Sequence, residues 1–471
     1  MKAMFITPPY SIKERYNSKT NIKKGYLPPL GLAYIASTIE RDGGHESRVL
    51  DLQVLEYTME EIINDVKSFN PDIVVFGALS ATADKAYKIA QKIKEELHLP
   101  VIFGGPHVSR LPKEVMEKQP FIDFLIIEEA EYSMLELLEY FQGKRQPQSI
   151  KGIAYRTKDG EIKLTEPRLP IANLDELPIP SRKYFDMSKY IPLPNQYKRL
   201  PLANMMTTRG CSYGQCTFCF EGGPHAPKYR RISAKKAIEE IKYLVDEYGI
   251  KEISFWDDEF AFPNKWVNEF CDMIKENNID IKWSCYSHVN YITEDLLKKM
   301  AAAGCWNIFY GLESGTQVLI NKVKKGTTLD RMRKAVKWTH EAGIETRGSF
   351  ILALPGETPE LARETIKFAI ELDLDYVQFL LNTPFPGTIM WEKNLDEGRL
   401  SSNYNDYSVF MPVFVPHGYK DEKEIISVQR EAYRRFYFRP KYVMKHLKRI
   451  KTMEDVKRYM SGVKFVVGMT A

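Results

Sequence analysis

Cysteine is scarce in this sequence, and long apolar runs are missing altogether. Six cysteines in 471 residues are too few for a disulfide scaffold, so a reducing, cytoplasmic setting fits best. No apolar stretch approaches the roughly 20 residues of a membrane span. Residues 1–9 hold only a short apolar stretch before two prolines, which does not read as a signal peptide. A net charge of +5 is small for this length; it gives no reason to expect nucleic acid as a partner, where a clustered basic face would be required. No internal repeat or low-complexity tract stands out. What is present is ordinary: 44% hydrophobic and 27% charged residues, the composition of a soluble globular protein. The length exceeds what one core fills, so two or three domains are expected.

Residues 1–145 alternate short apolar runs (3–7, 47–52, 72–79, 101–104 and 123–127) with amphipathic segments. The segment 84–97, for example, carries Ala86, Ile89, Ala90 and Ile93 at helical spacing. Such alternation predicts an α/β domain, a doubly wound (Rossmann-like) parallel sheet with its ligand beyond the carboxyl ends of the strands. Over 146–200 the texture changes. Two short strands flank Asp159-Gly160, a hairpin signal, and the prolines of 177–180 and 191–194 stiffen what reads as a linker draped over its neighbours.

A second alternating series fills 201–400, with candidate strands at 203–208, 252–256, 281–287, 306–312, 344–352 and 376–382. Six strand–helix units predict a partial (β/α)6 TIM barrel, with chemistry at the strands' C-terminal ends. Ser233 and Gly249 bracket a well-signalled helix. Residues 401–471 form a small, mostly helical C-terminal element. There Val443, Leu447 and Ile450 share a face, with Lys441, Lys445, Lys448, Arg449 and Lys451 around it. It reads as a docked helix with a solvated basic face, or as a peripheral contact with an anionic substrate or membrane surface.

The chemistry concentrates in one loop. Cys211, Cys216 and Cys219 lie within nine residues, while Cys271, Cys285 and Cys305 are scattered singly in apolar contexts and read as buried small hydrophobes. A zinc site usually needs four ligands; no second Cys pair exists, and His225 is the only nearby histidine. A [4Fe–4S] cluster takes four thiolates, so three would leave one iron open to a reacting ligand.

This loop resembles that of radical S-adenosylmethionine (radical SAM) enzymes. The family's common spacing is C-x₃-C-x₂-C; here Gly214 and Gln215 give four residues in the first gap. Phe218 fills the aromatic place before the last cysteine. The resemblance implies that Cys211, Cys216 and Cys219 hold the cluster and that its free iron binds the amino and carboxylate groups of SAM. It orders the other strand ends as well. Asp257, Asp258 and Glu259 would hold the SAM ammonium, or else form an acid cluster at a helix start. Glu313 and Ser314 would contact the ribose. Within 347–357, the adenine-contacting stretch, Arg347 would pair the SAM carboxylate or make a structural salt bridge.

The N-terminal domain resembles the cobalamin-binding domain found ahead of many radical SAM modules. On that resemblance Leu27, Pro28, Pro29 and Leu30 face the lower side of cobalt. Ser80, Thr82, Gly104 and Gly105 line the cleft for the nucleotide tail, with Pro106 and His107 beside it. The Asp-x-His-x-x-Gly pattern that supplies a histidine to cobalt is absent, so no histidine ligand is expected. Glu129 and Glu131 serve the cofactor or cap the next helix.

The expected activity is reductive cleavage of SAM to a 5′-deoxyadenosyl radical, hydrogen abstraction from substrate, and C-methylation of an unactivated carbon through methylcobalamin. The alternatives are ring-forming, ring-contracting or cyclase chemistry on a lipid or tetrapyrrole, and, in another class, a cobalamin-dependent sensor or electron-transfer protein. The implied partners are a small-molecule or lipid-like substrate and an electron donor such as flavodoxin or ferredoxin. No residue is assigned a catalytic proton- or hydrogen-moving role.

Overall fold

The computed structural model describes residues 1–18, 24–223, 228–393 and 395–470. The chain divides into two compact units. The first holds Met1–Ser11, Pro28–Tyr190 and Asn403–Asn405, and the second holds Ile12–Leu27, Ile191–Ser402 and Asp406–Ala471.

In the first unit β1 (Lys2–Thr7), β2 (Glu46–Asp51), β3 (Ile73–Gly77), β4 (Val101–Gly104) and β5 (Phe124–Ile126) are parallel neighbours in the order β2-β1-β3-β4-β5. Ala3 and Phe5 of β1 face one core, Met4 and Ile6 the other. Strands buried on both faces have no polar alternation, which is why they stand out in sequence as short apolar runs. Helices such as α1 (Leu30–Gly43) and α2 (Ala83–Leu97) cover the faces. The hairpin at Asp159-Gly160 is present as β6 (Ile153–Arg156) and β7 (Ile162–Leu164). It does not drape over its neighbours: β6 pairs antiparallel with β5. An exposed strand edge is a row of unpaired amide and carbonyl groups, and the hairpin covers that of β5.

The second unit is built on six parallel strands, β8 (Leu202–Met205), β11 (Glu252–Phe255), β12 (Lys282–Ser287), β13 (Cys305–Glu313), β14 (Glu345–Leu352) and β15 (Tyr376–Leu381), in that spatial order. Between β8 and β11, β9 (Thr208–Arg209) and β10 (Arg230–Arg231) form a separate antiparallel pair. The helix that follows, α3 (Ala234–Tyr248), starts where the Ser233 hydroxyl accepts from the Lys236 amide and ends at Gly249 in the left-handed region.

Six strands leave this barrel open, with β15 at one edge. The C-terminal helices, α4 (Glu422–Tyr437), α5 (Pro440–Leu447) and α6 (Met453–Thr470), are tied to that edge by α4. The Val377 amide donates to the Tyr437 hydroxyl at 3.0 Å, which donates to the Val377 carbonyl at 2.7 Å. The Phe379 amide donates to the Tyr433 hydroxyl, and Gln429 Nε2 donates to the Phe379 carbonyl. Side chains thus replace the missing strand. The basic face expected to be solvated is partly neutralised, because Lys445 and Arg449 meet the buried Asp375 at 2.9 and 2.8 Å. Burial alone would raise that carboxyl, but His340, Arg449 and Lys445 hold it well below the usual range. Among the described residues no helix is long and apolar enough to cross a membrane.

Tyr437→Phe removes both partners of Val377. A loss of about 1 kcal/mol is expected, read as faster hydrogen exchange confined to β15 with the remaining strands unchanged.

Candidate active site

The cysteine loop springs from the end of β8, and a buried carboxylate fixes its stem. Asp257, after β11, accepts hydrogen bonds from the amides of Thr207 and Thr208 at 2.6 and 2.5 Å and from both their hydroxyls at 2.9 Å. The Arg231 guanidinium donates to the Thr207 hydroxyl and lies 3.7 Å from the Trp266 ring centroid. The β9–β10 pair closes the neck of the loop.

Inside the loop the backbone is tightly cradled. Gly214, in the longer first gap between cysteines, adopts φ +60°, and its carbonyl accepts from Gly223. The left-handed turn absorbs the extra residue. A Cβ on Gly222 would lie 2.0 Å from the Cys216 carbonyl oxygen. The segment after a short helix braces the other side. Val323 accepts from the Thr217 amide, Lys324 accepts from the Tyr213 hydroxyl, and Gly326 leaves room for the Tyr213 ring. His225 lies outside the described residues.

All three cysteines line one cavity of about 450 Å³ at the C-terminal ends of the strands. Desolvation pushes the Cys216 and Cys219 thiols up to about 11 and about 12, and Cys211 upward as well. Thiolates so placed require a cationic core to draw off their protons. Among the described residues no three His, Cys, Asp or Glu side chains converge on a single ion. A cubane asks for something different, one sulfur on each of three irons. The donor set fits an iron–sulfur cluster.

The acids after β11 divide their work. Asp257 is committed to the loop stem. Glu259 is committed too, accepting from the Ala261 amide, the Ser287 hydroxyl and the His288 amide; desolvation raises it to about 7. Asp258 lines the same cavity and is exposed, and desolvation and then the Asp257 charge raise it to about 6.

At the end of β13, Glu313 sits at φ +62° beside a shift in register and meets Lys325 at 2.7 Å. Both line the cavity. Burial alone would lower Lys325, but Glu313 and the nearby Cys216 keep it charged. Sequence reading missed Lys325 because Lys324-Lys325 looks like a solvated pair. The available signal was Gly326, whose φ of +67° marks a turn tight enough to bury one of them. Phe218 also lines the cavity.

Two expected contacts lie elsewhere. Ser314 is buried against Thr316 and Thr365 and is not in the cavity wall. Arg347 shares a face of β14 with the cavity residues Ser349 and Ile351 but is itself outside the wall. It donates to Asn307 Oδ1 at 2.5 Å between the rings of Tyr286 and Phe309, with no acid as its partner in those contacts. The physical reason is its place along the strand: Arg347 shares the face of Ser349 but lies two residues further from the C-terminal end of β14.

In the first unit Ser80, Thr82, Gly104, Gly105, Pro106 and His107 gather at the ends of β3 and β4. Gly105, at φ +103°, passes so close to Ala78 that a Cβ would lie 2.9 Å from its carbonyl oxygen. His107 is buried, within 3.1 Å of the Ser80 hydroxyl and packed against Tyr404. Thr82 bonds back to Leu79. Pro29 caps α1 and Leu30 is its buried first residue, whereas Leu27 falls in the second unit. Glu129 accepts from the Ile171 amide, and Glu131 is buried in the first turn of its helix.

Residues 23–138 match the B12 binding domain family, and residues 205–369 match the Radical SAM superfamily. An uncharacterized methyltransferase of Pyrococcus horikoshii is 35% identical over 452 residues, covering 95% of each chain. The chain belongs to the radical SAM enzymes that carry a cobalamin-binding domain. An anaerobic magnesium-protoporphyrin IX monomethyl ester cyclase of Rubrivivax gelatinosus is 27% identical over 443 residues, 93% of this chain and 77% of its own. The fold is shared with the radical SAM methyltransferase TsrM of Kitasatospora setae, solved with tryptophan and a SAM analogue, at a TM-score of 0.72 and 19% identity, covering 92% of this chain and 88% of that one.

Within this radical SAM enzyme the cradle at Gly222 is open to test. Gly222→Ala forces the Cys216 carbonyl aside, so iron bound after anaerobic reconstitution should fall well below about four per chain, with the melting profile of the protein retained.

Proposed function

We propose that this enzyme is a cobalamin-dependent C-methyltransferase acting on an unactivated carbon. One observation carries the reading: three cysteines, one free carboxyl and a buried lysine–carboxylate pair share a single cavity. Cys211, Cys216 and Cys219 would hold three irons of the cluster. Asp258 would accept the SAM ammonium, Lys325 would meet its carboxylate, and Glu313 would accept from the ribose hydroxyls. When bound, the cluster and cobalamin supply the difficult chemistry, a reductive cleavage of SAM to a 5′-deoxyadenosyl radical and the carriage of a methyl group. Trp256, Tyr286, Phe309, Leu380 and Phe385 are among the apolar residues of the wall, which supports an apolar or ring-bearing substrate. An external one-electron donor of the flavodoxin or ferredoxin type completes the system.

The cyclase relative favours a second reading, in which the same cofactors serve ring formation without methyl transfer. Product analysis separates them. Methyl transfer requires 5′-deoxyadenosine and S-adenosylhomocysteine in equal amounts; cyclase chemistry yields deoxyadenosine with no homocysteine product.

Asp258 gives SAM binding a pH dependence of known sign. Its carboxyl is raised to about 6, so it is anionic above that pH and neutral below. SAM affinity of the cluster-loaded enzyme should fall as pH drops through 6, approaching about tenfold per unit. Asp258→Asn should bind weakly with a flat profile over this range. An unchanged slope in that variant assigns the titration to Glu259 instead, and removes Asp258 from the role.

A further inference from the structure

The second unit contains another cavity, of about 320 Å³, with no wall residue in common with the site above. It lies between β15 and the three C-terminal helices, and its size is that of a ligand pocket. Its lining is overwhelmingly apolar, with Tyr433 and Tyr437 of α4, Tyr442 and His446 of α5, and Gly462 of α6.

Two independent features mark it as built to be filled. Gly462 stands within the 18-residue α6, where glycine is the poorest helix former after proline. A Cβ there would meet only the Pro194 side chain, at 3.9 Å. The helix therefore keeps a glycine where its backbone accepts a larger residue and where that residue would occupy the cavity. His446 is 7% exposed and lines the cavity, with the Asp375 backbone beside its ring. It sits among the rings of Tyr442, Tyr376 and Tyr459 at 4.3, 5.3 and 5.6 Å.

The second feature is the mouth. Val443, Leu447 and Val463 line the cavity and are 44%, 54% and 60% exposed. Met460, Val463 and Val467 recur at i, i+3 and i+7 on the outer face of α6, all exposed. Lys448, Lys451, Lys457 and Lys464 are exposed alongside. An apolar helical face set among lysines matches the interface of an anionic bilayer, where apolar burial and charge act together.

We propose that the C-terminal element is a peripheral membrane anchor that draws one acyl chain of an anionic phospholipid into this cavity. The proposal is independent of which reaction the enzyme performs.

The test uses the full-length, cluster-loaded protein and vesicles of pure phosphatidylglycerol or pure phosphatidylcholine. Sedimentation with the first and not the second is expected. Electron paramagnetic resonance of chain-spin-labelled phosphatidylglycerol should show an immobilised component. Val463→Glu, at an exposed position that does not threaten folding, should weaken vesicle binding about tenfold or more. Gly462→Leu should keep surface binding and lose the immobilised chain. Indifference to headgroup charge, absence of the immobilised component, or vesicle binding unaffected by Val463→Glu overturns the proposal. So does a dimer that Val463→Glu converts to monomer, since a second copy would then cover this face.

Discussion

The second unit depends on one buried carboxylate. Burying a charge is costly unless donors surround it, and Asp257 has four, two amides and two hydroxyls from Thr207 and Thr208. Burial still raises its pKa, with the Arg231 charge opposing. What this arrangement secures is position. The loop bearing the cysteines has little regular structure of its own, yet it leaves β8 from a fixed point and returns through β10 to a fixed point. Between these the contacts at Val323, Lys324 and Gly326 hold its far side. A loop with both ends and its outer wall tied can present three thiols at set separations without a helix or strand to carry them.

The same carboxylate explains why three adjacent acids have three different surroundings. In the loop after β11, Asp257 and Glu259 are each satisfied by backbone and hydroxyl donors. Asp258, between them, faces the cavity with its charge uncompensated. Residue type alone made the three interchangeable in sequence, and only direction separates them. Ser314 and Arg347 likewise stand at the expected strand ends, yet neither side chain lies in the cavity wall, Ser314 being buried against Thr365 and Arg347 lying behind Tyr286 and Phe309.

What was legible follows from what is local. The central strands of both sheets could be read because they are buried on both faces, and the Asp159-Gly160 turn announced its hairpin. The helix from Ser233 to Gly249 carried both its caps. What could not be read depends on partners far along the chain. Nothing near Ile153–Arg156 says that it pairs with β5. Nothing near Tyr433 and Tyr437 says that their hydroxyls bond an open strand some 60 residues earlier. Lys325 belongs to this class as well, since its burial is set by Glu313 and by the cysteine loop rather than by its own neighbours.

The charges that line the cavity then constrain its occupant. The wall holds three cysteine sulfurs and the carboxyls of Glu221, Asp257, Asp258, Glu259 and Glu313, all groups whose ionised forms are negative, and among the described residues of the wall Lys325 is the one lysine or arginine. In a site with so little water, each added negative charge raises the cost of the next. A cluster's irons would offset the thiolates, and Lys325 offsets Glu313, which leaves a surplus of acidic groups in the wall for a cationic ligand to balance. A sulfonium that also carries an ammonium and a carboxylate bears one net positive charge and supplies that balance. Its neutral thioether product does not, so the same electrostatics that favour binding the donor favour release of what remains after the methyl or adenosyl group has left.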